Sequence, residues 1–159
     1  MSLSVISYPV FVVSVIFALV LSISLFPVDW LILRPEWVGL VVFYWTFRAP
    51  HRFGVLVAWV LGLLLDVLEA GTLGINAFAM ALVAFLVLTT HQRLRMFPLP
   101  QQCLMVFLLL GINQMVVHFV NQVLGADNPG FTYLLPAVTS AVVWPFLCAI
   151  LDRLNLKLA

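Results

Sequence analysis

The chain has 159 residues, of which 65% are hydrophobic and 8% are charged, and its mean hydropathy is +1.21. An ordinary soluble domain carries roughly 25% charged residues, so this composition excludes a soluble surface and predicts a protein that lies in a lipid bilayer. The formal net charge of +1 and the lack of basic patches interleaved with aromatic residues argue against nucleic-acid binding.

A helix needs ~20 apolar residues to cross the hydrocarbon core, and the first two predicted spans differ in whether they reach this length. The first covers about residues 5–26 and has neither a basic segment before it nor a cleavage site after it, so we expect it to be retained as a helix. The second covers about residues 35–49 and is short. Pro35 suits its first helical position, and Glu36 suits the positive end of its dipole.

Three further spans follow in the middle of the chain. Residues 53–68 and 76–90 predict a hairpin of two helices. The turn between them contains two glycines, and Thr72 or Asn76 is expected to cap the second helix. The fifth span covers about residues 101–124, after a basic loop that is closed by prolines.

The sixth span covers about residues 133–151, after a polar loop at residues 125–130. Pro145 lies inside it and predicts a kink. Residues 152–159 are expected to form a short polar tail. The sequence therefore predicts about six transmembrane helices in one integral membrane domain over residues 1–159.

The positive charges predict the orientation of these spans. With six spans, one side of the membrane receives nearly all the Lys and Arg residues, and the other side receives Arg34 alone. The charged residues on the first side are Arg48, Arg52, Arg93, Arg95, Arg153 and Lys157. Since positive residues concentrate in the cytoplasm, both termini are expected to be cytoplasmic.

Small residues recur every four positions along the third span. The five positions are Gly54, Ala58, Gly62, Asp66 and Ala70, and Asp66 is the one carboxylate among them. On a helix this spacing makes one narrow face, which we call the small-residue stripe. Small residues allow another helix to approach closely in a membrane. Packing inside the bundle is the favoured interpretation, and reception of a partner's transmembrane helix is the alternative.

Asp66 lies inside the apolar third span, where a carboxylate needs a partner. The structural interpretation is an acid that is capped by the turn at residues 71–74 or paired with Arg34. The functional interpretation is an ionised group in a site. The sequence offers no second carboxylate at fixed spacing for a proton relay, which favours the structural interpretation.

Gln114, His118 and either Asn121 or Gln122 share one face of the fifth span, with Asn113 beside them. They are interpreted as hydrogen-bond contacts between helices. The alternative is that they line, together with Asp66, an outward-facing polar pocket for a small ligand or a lipid-linked precursor.

The sequence favours a protein that is not an enzyme. No phosphate-binding loop, serine-hydrolase motif or zinc-protease motif occurs in it. Cys103 and Cys148 lack the spacing of metal ligands, so no metal or cofactor is expected. The basic corner around Arg52 is interpreted as a determinant of topology that contacts lipid headgroups, with docking of a cytoplasmic partner as the alternative.

A series of short motifs runs through nearly the whole chain. They are Leu33-Arg34-Pro35-Glu36-Trp37, Tyr44-Trp45, Ala49-Pro50-His51-Arg52, Gly62, Asp66, Gly71-Thr72-Leu73-Gly74, Ala77, Ala79-Met80, Gln101-Gln102 and Trp144-Pro145. In this series the chain resembles MreD, the family of bacterial rod shape-determining membrane proteins, and its proteobacterial members most closely.

The resemblance implies an all-α bundle similar to the substrate-binding subunits of energy-coupling-factor transporters, with an outward-facing cavity. It implies a non-catalytic scaffold in the inner membrane that associates with MreC and takes part in lateral peptidoglycan synthesis by the Rod complex. Through MreC, the implied partners are MreB, RodA and a class B penicillin-binding transpeptidase. Membrane lipid and a second copy of the chain are further candidate partners.

The candidate structural or interface residues fall in three places. Arg34, Pro35 and Trp37 are expected at the outer mouth of the bundle. The small-residue stripe contributes Gly54, Ala58, Gly62 and Asp66, with Gly71 and Gly74 after it. Arg52 is expected at the cytoplasmic corner.

Overall fold

A computed structural model describes residues 8–23, 33–125 and 131–158 of the chain, and these residues form helices and no strand. The helices are α1 (Tyr8–Ile23), α2 (Trp37–Arg48), α3 (Val55–Leu68), α4 (Ile75–Leu94), α5 (Leu99–Val123) and α6 (Leu135–Leu158). A short 3₁₀ helix, Phe131–Leu134, precedes α6. The prediction of an all-α polytopic membrane protein is confirmed.

The helices fall into two groups by length. Three helical segments, Ile75–Leu94, Leu99–Val123 and Thr132–Asn155, are long and apolar enough to cross a membrane. The helices α1 and α3 are apolar but shorter. With 12 residues, α2 is only about 18 Å long at the usual rise per residue, against ~30 Å of hydrocarbon.

The short helix α2 lies at the centre of the bundle. Every residue from 38 to 47 in it is buried, and the helix contacts each of the five others. Aromatic side chains fill this core: the ring of Trp144 on α6 meets Phe43 edge-on at 4.8 Å between centroids. Since α2 is apolar on all sides, burial on all sides is the expected arrangement.

The two ends of the bundle differ in charge, and we name them by their arginines. At the Arg48 end, Arg48 forms an ion pair with Asp152 of α6, and the Tyr44 hydroxyl donates a hydrogen bond to the same carboxylate at 2.6 Å. Arg95 also donates to the carbonyl oxygen of Arg48. At the Arg34 end, α2 and α4 begin and α3 and α5 end.

Several predicted element boundaries are wrong. Pro35 is not the first helical residue, because α2 begins at Trp37 with Glu36 at the N-cap position. The helix α4 continues to Leu94, so His91 and Arg93 lie in its last turn, where positive charge stabilises the helix dipole.

The predicted polar tail is also wrong, because α6 continues to Leu158 with Pro145 inside it. Thr72 and Asn76 are not the caps of α4, since Gly74 occupies the N-cap position. The predictions for residues 24–32 and for the loop at residues 126–130 lie outside the described residues.

An apolar groove of about 750 Å³ runs between α1 and α6, with α2 as its floor. We call it the α1–α6 groove. Its α1 wall repeats every four residues, at Pro9, Val13, Phe17 and Leu21. Its α6 wall holds Val143, Phe146, Leu147, Ile150, Leu151 and Leu154. Both walls therefore follow helical ridges over several turns.

Candidate functional site

A cavity of about 320 Å³ lies at the Arg34 end of the bundle. We call it the Arg34-end cavity. It is enclosed by the start of α2, the end of α3, the start of α4, the last turns of α5 and the start of α6. The sequence-predicted site residues that line it are Arg34, Pro35, Trp37, Asp66, Gly71, Gln114 and Asn121.

Asp66 connects α3 to the start of α4. Its Oδ2 atom accepts hydrogen bonds from the backbone N–H of Gly74 at 2.9 Å and of Ala77 at 3.3 Å, and its Oδ1 atom accepts one from Asn76 at 3.1 Å. The side chain is 1% exposed. These N–H groups lack partners within a helix, and the positive end of the α4 dipole favours a negative charge there. Asp66 thus caps a neighbouring helix.

The close approach of α3 and α4 requires glycine at position 62. A Cβ atom there would lie 2.5 Å from the Cα of Ala77 and 2.6 Å from the carbonyl oxygen of Asn76. Ala58, one turn earlier, is buried as well. The small-residue stripe therefore packs inside the bundle at its centre, and the alternative of a partner's helix at Gly62 is excluded by α4.

The stripe and its turn are not close-packed throughout, which corrects the expectation for two glycines. No atom lies within 4 Å of a Cβ at Gly54 or at Gly71, so neither position is needed for close approach. Glycine is favoured at position 74 for a different reason. Its φ angle is +98°, a left-handed conformation that residues with a Cβ atom rarely adopt.

Arg34 pairs with Glu69, at 2.8 Å between the guanidinium and the carboxylate, and not with Asp66. The suggested Arg34–Asp66 pair is therefore wrong. Glu69 is the residue after α3, at the edge of the cavity. Burial raises the pKa of the Glu69 carboxyl above its usual value, and the neighbouring Arg34 guanidinium lowers it in part.

Glu36 joins three helices at the cavity. The Asn113 side-chain amide of α5 donates to its Oε1 atom at 2.8 Å, and the Gln114 amide donates to the same atom. Its backbone N–H donates to the Ser140 hydroxyl of α6 at 2.8 Å. Its Oε2 atom is buried with no hydrogen-bond partner among the described residues. The arrangement holds the start of α2 against α5 and α6.

His118 lies apart from the cavity lining and does not join the polar pocket expected from its spacing. Its ring stacks on Tyr133, ahead of α6, with centroids 4.4 Å apart and planes at 9°. The helical spacing placed His118 near Gln114 along α5, but the 3₁₀ segment before α6 packs over this part of the helix.

Arg52 lies at the other end of the bundle, in the connection between α2 and α3. It is exposed, and its guanidinium lies 5.5 Å from the centroid of the Tyr8 ring. This cation–π contact ties the start of α1 to the Arg48 end.

The family of the chain follows from comparison with known proteins. A family model described as rod shape-determining protein MreD matches residues 4–154. The chain belongs to the MreD family. The rod shape-determining protein MreD of Haemophilus influenzae is 26% identical over 142 residues, which cover 89% of this chain and 88% of that protein. No solved structure matches the chain. The likeness to transporter subunits therefore stays a prediction.

Membership of the MreD family gives the chain a role in determining rod shape, as a membrane protein. The described residues contain no group of three or more His, Cys, Asp or Glu side chains that could hold a metal ion.

Three residues of this MreD site are not among the site residues that the sequence predicts: Glu36, Asn113 and Ser140. The sequence indicates Glu36 only as a charge at a helix start and as part of the Leu33–Trp37 motif, and Asn113 only as a neighbour of the polar face. A signal existed for the first, since a carboxylate before an apolar helix in a membrane needs hydrogen-bond partners. Ser140 carries no such signal, because a serine inside a span can bond its own backbone.

Proposed function

We propose that this chain is a non-catalytic scaffold of the bacterial inner membrane that associates with MreC. Through MreC it is connected to MreB, RodA and a class B penicillin-binding transpeptidase, and so helps to direct lateral peptidoglycan synthesis. Both termini lie in the cytoplasm in this proposal, because the Arg48 end carries most of the positive charge.

The observation that carries the proposal is that most of the described residues lie in helices and few lie in the connections between them. The described connections between helices are short, at residues 49–54, 69–74 and 95–98. Such connections have no room for a folded domain outside the membrane. We therefore place the partner contacts of the described residues on helix faces in the lipid and on the short loops, as in a membrane scaffold.

The α1–α6 groove is the face that best suits the transmembrane helix of MreC. The small-residue stripe is unavailable at Gly62, because α4 already occupies it there. The groove is lined almost wholly by apolar side chains, with Ser14 and Ala18 at its base. Its walls are ridges that repeat at helical spacing, which is the surface that another helix packs against. Small residues at the base allow a close approach.

Co-purification in mild detergent tests this proposal. Val13 lines the groove and is 62% exposed, so Val13→Trp should fill the groove without disturbing the bundle core. Val12 is the matched control, since it is 50% exposed on α1 but lies outside the groove. We expect MreC to co-purify with the wild type and with Val12→Trp, and to be lost from Val13→Trp.

Two outcomes would count against the proposal in different ways. If MreC does not co-purify with the wild type, the scaffold function through MreC is wrong. If MreC co-purifies equally with both tryptophan variants, the association stands but the groove is not its contact. Thermal unfolding in detergent checks that both variants are folded.

A further inference from the structure

The charged groups around the Arg34-end cavity are already engaged with the protein. Asp66 accepts three backbone hydrogen bonds, and Arg34 is paired with Glu69. Glu36 accepts hydrogen bonds from two side-chain amides with one carboxylate oxygen. Its other oxygen is buried and lies 3.0 Å from the position that a Cβ atom would occupy on Gly39. A cationic ligand could reach neither Asp66, which is 1% exposed, nor the buried Oε2 atom of Glu36, and an anionic ligand would find Arg34 already paired.

Four uncharged polar side chains of the same cavity have hydrogen-bonding groups that no other described residue uses. Asn121 and Thr72 make no side-chain hydrogen bond within the described part of the chain. The Asn76 side chain is also unbonded, since only its backbone N–H is used. Gln114 donates through its nitrogen to Glu36, which leaves its side-chain oxygen without a partner in the described residues. Amides and hydroxyls both donate and accept hydrogen bonds, so this set matches groups of the same kind.

The remaining lining and the volume limit the size of a ligand. Trp37, Leu65, Ile75 and Met80 contribute apolar surface beside the polar groups. The volume of about 320 Å³ is near the lower end of small-molecule sites, which range over roughly 300–1,000 Å³. Apolar surface with a few convergent polar groups is the usual make-up of such sites.

We propose that the Arg34-end cavity binds a neutral group that carries hydroxyl or amide substituents and has the size of one sugar ring. Asn76, Asn121, Thr72 and the Gln114 oxygen hydrogen-bond its substituents, and Trp37 packs against its apolar side. The group is either a soluble molecule or the headgroup of a membrane lipid. The proposed association with MreC concerns a different surface, the α1–α6 groove, whose lining shares only Trp37 with that of the cavity among the described residues.

Saturation-transfer NMR on the purified chain in detergent micelles tests the proposal with three matched rings. N-acetylglucosamine is the neutral probe with hydroxyls and an amide, glucosamine carries an ammonium group, and glucuronate carries a carboxylate. We expect N-acetylglucosamine to bind and both charged rings to bind more weakly. Asn121→Ala should weaken its binding about three- to tenfold, the effect of one neutral hydrogen bond.

Three variants make the result specific to the cavity. Asn121→Ala breaks no hydrogen bond between described residues, so its thermal unfolding should match the wild type. Gln122→Ala is the matched control, because Gln122 is the exposed next residue of α5 and lies outside the cavity lining. Thr72→Val removes a second free group with almost no change in volume, and it should also weaken binding.

The source of the group is decided by the same ring attached to a long alkyl chain. Tighter binding of the alkylated ring by tenfold or more assigns the cavity to a lipid headgroup, and equal binding assigns it to a soluble molecule. The proposal is overturned if the neutral ring shows no saturation transfer, if Asn121→Ala and Thr72→Val bind it as well as Gln122→Ala does, or if a charged ring binds more tightly.

Discussion

The Asp66 carboxylate at the end of α3 accepts a 2.9 Å hydrogen bond from the backbone N–H of Gly74, which begins α4. This contact fixes the angle between two helices that also touch at Gly62. A carboxylate in an apolar span is usually a sign of function. Here the carboxylate accepts hydrogen bonds from three backbone N–H groups at the start of α4, so its first task is to hold the hairpin together.

We expect Asp66→Asn to retain shape-determining function with a modest loss of stability, smaller than the ~0.5–2 kcal/mol that removal of a capping side chain costs. The asparagine oxygen can still accept from α4, but its amino group faces other donors. Asp66→Ala removes every acceptor and leaves N–H groups buried, so it should be more destabilising. Thermal unfolding in detergent gives the order. Asp66→Asn with full stability and no function would indicate an ionised role instead.

Gly62→Ala should force α3 and α4 apart, because a Cβ atom would lie 2.5 Å from the Ala77 Cα. The obstacle is backbone, which cannot rotate away, and we expect a loss of about 1–3 kcal/mol or more of stability. Gly71→Ala is the control, because no atom lies within 4 Å of its Cβ and the change should stay within about 0.5 kcal/mol. Protein level and unfolding temperature measure both. Equal stability of the two variants would contradict the close packing.

The spacing of small residues could predict the packing face of α3 but not the point of contact. Gly54, Ala58 and Gly62 share one face by local geometry alone. Two straight helices approach most closely over a short length, however, and the position of that point is set by the rest of the bundle. Gly62 lies there, whereas Gly54 has open space.

The partners of charged groups were harder to predict, for a physical reason. Backbone N–H groups satisfy Asp66, and every residue other than proline has one, so they leave no mark in the sequence. Arg34 is the cation that the sequence offers as a partner for Asp66, but it forms an ion pair with Glu69, which the turn places nearer. His118 had the right spacing for the pocket, but the stacking on Tyr133 depends on the path of the chain before α6.

Glu36 is expected to tolerate glutamine and not leucine. Glutamine keeps an oxygen for the Asn113 amide, which now donates to Glu36 at 2.8 Å. Leucine removes that acceptor, and Asn113 is only 1% exposed, so an amide is left buried without a partner. Such a group destabilises by about 1–3 kcal/mol. Unfolding of the two variants in detergent measures the difference. A leucine variant as stable as the glutamine variant would show that the network contributes nothing to folding.

The proposed orientation predicts which loops can be labelled from outside the cell. Leu73, in the turn between α3 and α4, is 66% exposed, and Met96, in the connection after α4, is 85% exposed. In a background with Cys103→Ala and Cys148→Ala, Leu73→Cys should react in intact spheroplasts with a thiol reagent that does not cross membranes. Met96→Cys should react only after lysis, because it lies beside Arg93 and Arg95 at the positive end.

Reversing the charges of Arg93 and Arg95 tests whether positive residues determine this orientation. If positive residues set it, changing Arg93 and Arg95 together to Glu should make a fraction of Met96→Cys accessible from outside. The matched control is Gln92→Glu with Gln101→Glu, which adds two acidic residues near the same loop and leaves the arginines in place. Because acidic residues contribute little to topology, the control should keep the original pattern. Labelling of Leu73→Cys only after lysis in the starting protein would reverse the proposed orientation and move the Arg34-end cavity to the cytoplasmic side.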